Sequence, residues 1–220
     1  MARVVVVVLA LMMISVNGFA FGLPKAPAMG SASGKSAVSI DDALSMQNDL
    51  LKAYANGVKL NCEAQSIMSE ALGLDSLAAD LKAESDGLSE TNVDGLEASV
   101  AKSKAATDAI SKKMAESKEL SAEAKGKVAK SLVPLGLSLL SYKSAAEKGV
   151  SALDGAKSVI ENAPMTQKLS AKSKLDPILS IAPSLPGDLS NVIAMAGKYV
   201  EFAKSNDIEP PKGLNDALGD

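Results

Sequence analysis

"KVAKSLVPLGLSLLSYKSA", Lys127 to Ala145, decides how the rest of the chain is read. From Ser131 to Tyr142 the stretch carries no charge, and five leucines and a valine crowd around Pro134 and Gly136. On a helical wheel Leu132, Leu135, Leu139 and Tyr142 form one stripe, while Val133, Leu137 and Leu140 form a second apolar face. The stretch is too short to cross a bilayer as one helix, which needs about 20 apolar residues. A helix apolar on two faces is normally central and buried. That reading places Leu137 and Leu140 beneath a cover drawn from Leu175–Leu185, where Ile178, Leu179, Ile181 and Leu185 supply apolar groups. The rival reading makes Val133, Leu137 and Leu140 an exposed contact face for a partner protein, an apolar ligand or lipid.

Working outward, the main stripe extends from Ala124 and Val128 through Ala146, Val150, Leu153 and Ile160. This predicts a long helix from near Ser121 that kinks or restarts at Pro134, since an interior proline costs about 3 kcal/mol and one backbone hydrogen bond. Upstream, Ser39 is a plausible N-cap followed by Asp41 and Asp42, where the helix dipole favours anions. Ile40, Leu44, Leu51, Tyr54, Val58, Cys62, Met68 and Leu72 then mark a helix from about Ile40 to Leu72. Gln47, Asn61 and Gln65 interrupt its stripe, either as a polar ligand seat or bonded to a neighbouring helix. Asp75 can cap a short helix to about Ser85, and Val93 to Ser117 carries a seam through Leu96, Val100, Ser103, Thr107, Ile110 and Met114. Downstream of the long helix, Pro164, Pro177, Pro183 and Pro186 break the chain into short pieces. Asp188 can cap a last helix to about Lys204, and "NDIEPPKGLNDALGD" reads as a tail.

Charge is segregated along the chain. Asn61 to Glu97 holds nine acids and one lysine, whereas Ala98 to Lys174 holds fourteen lysines and seven acids. Antiparallel packing of the second helix on the third or fourth brings the two signs together and helps choose neighbours. Exposed pairs contribute only about 0–1 kcal/mol. The functional rival is a basic face for anionic lipids or acidic polymers.

Composition restricts the chemistry. There are 220 residues, no histidine and no tryptophan, and Arg3 is the only arginine. Past residue 20 the chain has 22 lysines against 26 acids. Without histidine it lacks the usual general base and the commonest transition-metal ligand. With no arginine past Arg3, the rest of the chain lacks the fork that grips phosphate. Catalysis through Ser, Lys or carboxylates is disfavoured, and no catalytic residue, metal site or cofactor is assigned. Ser99-x-x-Lys102 has the spacing of one class of serine nucleophile but none of its partner motifs, and reads as two residues one helical turn apart. Glu90 to Ala101 superficially resembles a calcium loop but has Ala101 where a bidentate Glu is required. Negative charge with few aromatics also disfavours nucleic acid.

"MARVVVVVLALMMISVNGFA" has a basic start, a short apolar core and small residues up to Ala20, the pattern of a signal peptide (1–20), with an uncleaved anchor as the alternative. Residues 21–38 read as a flexible Gly/Pro/Ala/Ser leader. The expectation is an exported protein, periplasmic or extracellular. It comprises a helical domain over 39–205 and a tail over 206–220. Cys62, the only cysteine, is an unpaired thiol, read as a buried apolar group or alternatively as an exposed cross-linking site. The fold class is all-α, a bundle of about four main helices with short additional pieces. The expected function is non-catalytic binding or structural service, with a membrane-surface protein as the alternative. Partner and oligomeric state are left open.

Overall fold

A computed structural model describes residues 38–89, 92–117 and 119–219. The apolar N-terminal segment and the leader up to residue 37 lie outside the described residues. Where the chain is described, its regular structure is entirely helical: α1 Ile40–Ala71, α2 Asp75–Gly87, α3 Val93–Glu116, α4 Ala122–Asn162, α5 Met165–Ile181, α6 Leu185–Ser205 and α7 Lys212–Leu218. The fold is thus an all-α bundle, with α1, α3, α4 and α6 as its main rods.

Three of the main helices, α1, α3 and α4, start where the sequence provides a cap. Ser39 Oγ accepts from the Asp42 N–H while the Asp42 carboxylate reaches back to the Ser39 backbone, a reciprocal box that satisfies two otherwise orphaned donors. Asn92 accepts from Gly95 N at 3.0 Å and Ser121 accepts from Ala124 N at 3.1 Å. From Asn92 onward, the stretch resembling a calcium loop is therefore the N-cap and first turns of α3. Gly73, with φ +71°, makes the left-handed turn that ends α1 and lets α2 fold back.

The bundle is organised around α1 and α4. Met46 meets Gly155, Leu50 meets Gly149, Gly57 meets Tyr142, and Glu70 pairs with Lys127 at 3.7 Å. Residue numbers that rise on one helix fall on the other, so the two run antiparallel. At the crossing Gly57 has no side chain, and the edge of the Tyr142 ring occupies that space. A Cβ there would lie 2.9 Å from Tyr142 Cδ2. Ser138 donates to the Gly57 carbonyl at 2.8 Å, and Tyr54 and Tyr142 pack edge to face with ring centres 5.7 Å apart.

α4 runs unbroken through Pro134, which is buried. Leu132, Leu135 and Leu139 are fully buried on either side of it. Each contributes about 1.5–3 kcal/mol of apolar burial, which together exceeds the local proline cost. Further along, the buried line passes to Ala145, Gly149, Ala152 and Ala156, and Val150, placed inward by the stripe, is exposed. The cause is close approach: Leu185 packs onto Gly149 and Met46 onto Gly155, so small residues are needed at the contact.

Three expectations about the C-terminal third are corrected. Pro177 lies within α5, and Pro164 precedes it, so the proline-rich region forms two helices and not short fragments. α6 begins at Leu185, with Pro186 in its first turn where a missing N–H costs nothing, so Asp188 is a buried residue inside the helix and not its cap. The stretch 206–220, read as a tail, is packed over its described residues 206–219: Ile208, Leu214 and Ala217 are buried, Leu214 Cβ sits 3.5 Å from where a Gly136 Cβ would be, and Lys143 Nζ donates to the Ala217 carbonyl. Leu214 packs beside Gly136 of α4. Among the described residues, Met165–Ser205 is the one helical stretch long and apolar enough to cross a membrane by length and composition. Its Leu175, Ile178, Val192 and Tyr199 belong to the buried core.

Gly57→Ala is expected to destabilise the fold by about 1–3 kcal/mol, because the Tyr142 ring must shift. Gly126→Ala, in the same class of substitution but with open space around it, is expected to stabilise by about 0.5–1 kcal/mol. Urea midpoints of the two variants should move in opposite directions.

Candidate functional site

A seam of buried polar groups positions the remaining main helices. Asn61 Nδ2 donates to Ser103 Oγ at 2.8 Å, and Gln65 Nε2 donates to the Ser103 carbonyl at 3.0 Å and to Thr107 Oγ1 at 2.8 Å. These amides join α1 to α3, which is the neighbour-bonding alternative considered for them. Gln47 is buried on α1 nearer its N-terminus.

Asp188 of α6 is the one charged residue buried among the described residues. Tyr54 donates to its Oδ2 at 2.9 Å, Ser184 donates to the same oxygen at 3.1 Å, and the Lys104 ammonium lies 3.0 Å from Oδ1. Burial, and then the Asp188 charge, push the Tyr54 phenol well above its ordinary range, so it remains a donor. One carboxylate thereby ties α1, α3 and α6 with all its partners supplied by protein. Its role is structural, since such a group is costly to bury unless fully paired.

A cleft of about 740 Å³ opens between α2 and α3, walled by Leu77, Leu81, Leu88 and Ala106. In its lining the Glu84 carboxylate takes Lys102 Nζ on one oxygen and Ser99 Oγ on the other. Lys102 and Ser99 hold Glu84 below the usual carboxylate range, and Glu84 in turn raises Lys102. A lysine held protonated cannot take a proton from Ser99, and Ser99 is fully buried. The Ser-x-x-Lys pair is a clasp between two helices. It realises, with Lys127–Glu70, the expected meeting of the acidic and basic halves.

Cys62 is fully buried on α1, and burial pushes its thiol up to about 12. This corrects the cross-linking alternative: the side chain is core, with no access for a second thiol.

The three residues of the second apolar face are brought together at the surface. Val133 is 53% exposed, and Leu137 and Leu140 are each 50% exposed, forming a ridge along α4. The expected cover is elsewhere. Leu175, Ile178, Ile181 and Leu185 are buried, but Leu185 packs at Gly149, on the opposite side of α4 and several turns further along. α1 and α7 occupy the flanks at Gly57 and Leu214, which leaves the Leu137 side open. A second exposed apolar pair, not singled out in the sequence, begins α5: Met165 is 83% exposed and Leu169 is 81% exposed, with Lys168, Lys172 and Lys174 on the same helix before its first acid, Asp176.

Compared with known proteins, the chain matches no family model, no curated protein and no solved structure. The fold and surface define an all-α bundle with an exposed apolar ridge on its longest helix.

Two outcomes test this geometry. Leu139→Ala is expected to cost about 2–5 kcal/mol by leaving a core cavity, whereas Leu137→Ala and Leu140→Ala should each change stability by about 0.5 kcal/mol. Denaturant midpoints of the three variants check the split. The clasp has a pH signature. Glu84 has a depressed folded pKa, so its contribution is present above the ordinary carboxylate pKa and lost as pH falls through the lower folded value. Hydrogen-exchange protection in α2, measured against the intrinsic rate at each pH, should fall in that acidic window. Glu84→Gln should exchange quickly at neutral pH and lose most of that pH dependence.

Proposed function

We propose that this chain is an exported, non-catalytic helical binding protein, periplasmic or extracellular, whose contact surface is the α4 ridge Val133, Leu137 and Leu140. The observation that carries the reading is a row of half-exposed large apolar side chains on a helix fixed on its other sides by α1, α6 and α7. Single exposed leucines are ordinary, but an aligned row on a rigid rod is the form taken by helix-in-groove and helix-on-helix contacts. Export rests on the N-terminal sequence pattern, and the non-catalytic character on the absence of histidine, and of arginine past Arg3, together with the structural use of Asp188 and Lys102.

The experiment places a photo-crosslinking amino acid at Leu140, and at exposed Asp108 of α3 as control, in the producing cell. A defined adduct from position 140 and none from 108 is expected. Equal yields from both positions, or none from 140, would remove the ridge as the contact surface.

Met165 and Leu169 favour a second reading, attachment to an anionic membrane surface through the start of α5. Flotation with anionic vesicles separates the two. This reading expects salt-sensitive flotation that Leu169→Asp abolishes, while the preferred one expects no dependence on Leu169.

A further inference from the structure

The ridge continues in both directions at the same three- and four-residue spacing, as Gly126, Lys130, Val133, Leu137, Leu140, Ser144, Glu147 and Ser151. All are exposed except Ser144, which is half-buried. The line is about 37 Å long at 1.5 Å per residue. Leucines occupy its middle, Lys130 lies toward one end, Glu147 toward the other, and small residues close both ends.

We propose that this ridge is the surface on which a second copy of the chain docks, α4 against α4 and antiparallel. The inference rests on the reading of the ridge as a contact surface and names its occupant. Charge order supplies the argument. Lys130 and Glu147 stand at equal distances on either side of the midpoint between Leu137 and Leu140. A two-fold axis at that midpoint puts each Leu137 on the other copy's Leu140, each Val133 on Ser144, and each Lys130 on Glu147. The surface is self-complementary in that orientation. A parallel arrangement would stack Lys130 on Lys130 and Glu147 on Glu147, which is repulsive. Gly126, Ser144 and Ser151 are small enough for a second helix to approach. Neither Lys130 nor Glu147 has an ion-pair partner within its own chain among the described residues, so both are available. A single helix–helix seam is small beside the roughly 800 Å² per partner of a stable complex, so the dimer is a weak one that forms as concentration rises.

Sedimentation equilibrium of the purified full chain, under reducing conditions and across a wide concentration range, tests this. The weight-average mass should climb toward twice that of the chain. Leu137→Asp should hold it at the monomer value. Lys130→Glu and Glu147→Lys should each raise the dissociation constant by about tenfold or more, and the double reversal should restore wild-type association. Wild-type protein that stays monomeric, a dimer that survives Leu137→Asp, or a double reversal no better than the singles would each overturn the proposal. If the chain is monomeric yet position 140 still forms a defined adduct in the cell, self-docking alone falls and the contact surface stands. If position 140 also forms no adduct, both fall.

Discussion

The close crossing of α1 and α4 at Gly57 governs this molecule. The Tyr142 ring sits where a Gly57 side chain would be, Ser138 bonds to the Gly57 carbonyl, and Tyr54 meets Tyr142 edge to face. Those contacts fix the rotation of α4 about its own axis. Once Leu132, Leu135, Leu139 and Tyr142 face α1 and the bundle interior, the pitch of an α-helix leaves no choice for Val133, Leu137 and Leu140. α7 fills the Gly136 side, and the α5–α6 junction fills the Gly149 side. The apolar ridge is therefore what remains of a helix with more apolar surface than its neighbours can cover.

The polar interior serves the same geometry. Asn61 and Gln65 fix α3 to α1, and Asp188 joins α6 to both through Lys104 and Tyr54. Such groups are costly to leave unpaired, so they restrict how these helices can slide relative to one another. The Glu84 clasp does likewise for α2. The paired carboxylates of Asp188 and Glu84 are thus occupied in holding helices together.

Most of the architecture was legible in the sequence because caps and apolar periodicity agree. Ser39 and Ser121 mark the starts of α1 and α4, and the stripes behind them, like that of α3, are long enough to be unambiguous. The parts that were not legible depended on tertiary contact. Val150 looked inward by spacing, but the core line moves to Gly149 and Ala152, where Leu185 comes too close for a larger side chain. Residues 206–219 looked like a tail because α7 is short and polar, and its docking rests on tertiary contacts of Leu214 and Ala217 with α4. Asp188 had the sequence position of a cap, and only the arrival of Tyr54 and Lys104 makes it a buried hub. The second face of α4 was visible as a pattern. Its exposure was not, because covering it required knowing where Leu175–Leu185 packs.

The orientation of α4 is the central claim, and cysteine accessibility across its uncharged stretch measures it most directly. Single cysteines at each position from Leu132 to Tyr142, with Cys62 buried and silent in the native state, would be treated with a water-soluble maleimide. The account predicts rapid labelling at 133, 137 and 140 and protection at 132, 135, 139 and 142. Protection at 137 and 140 in protein dilute enough to be monomeric would contradict it, because the ridge would then be core.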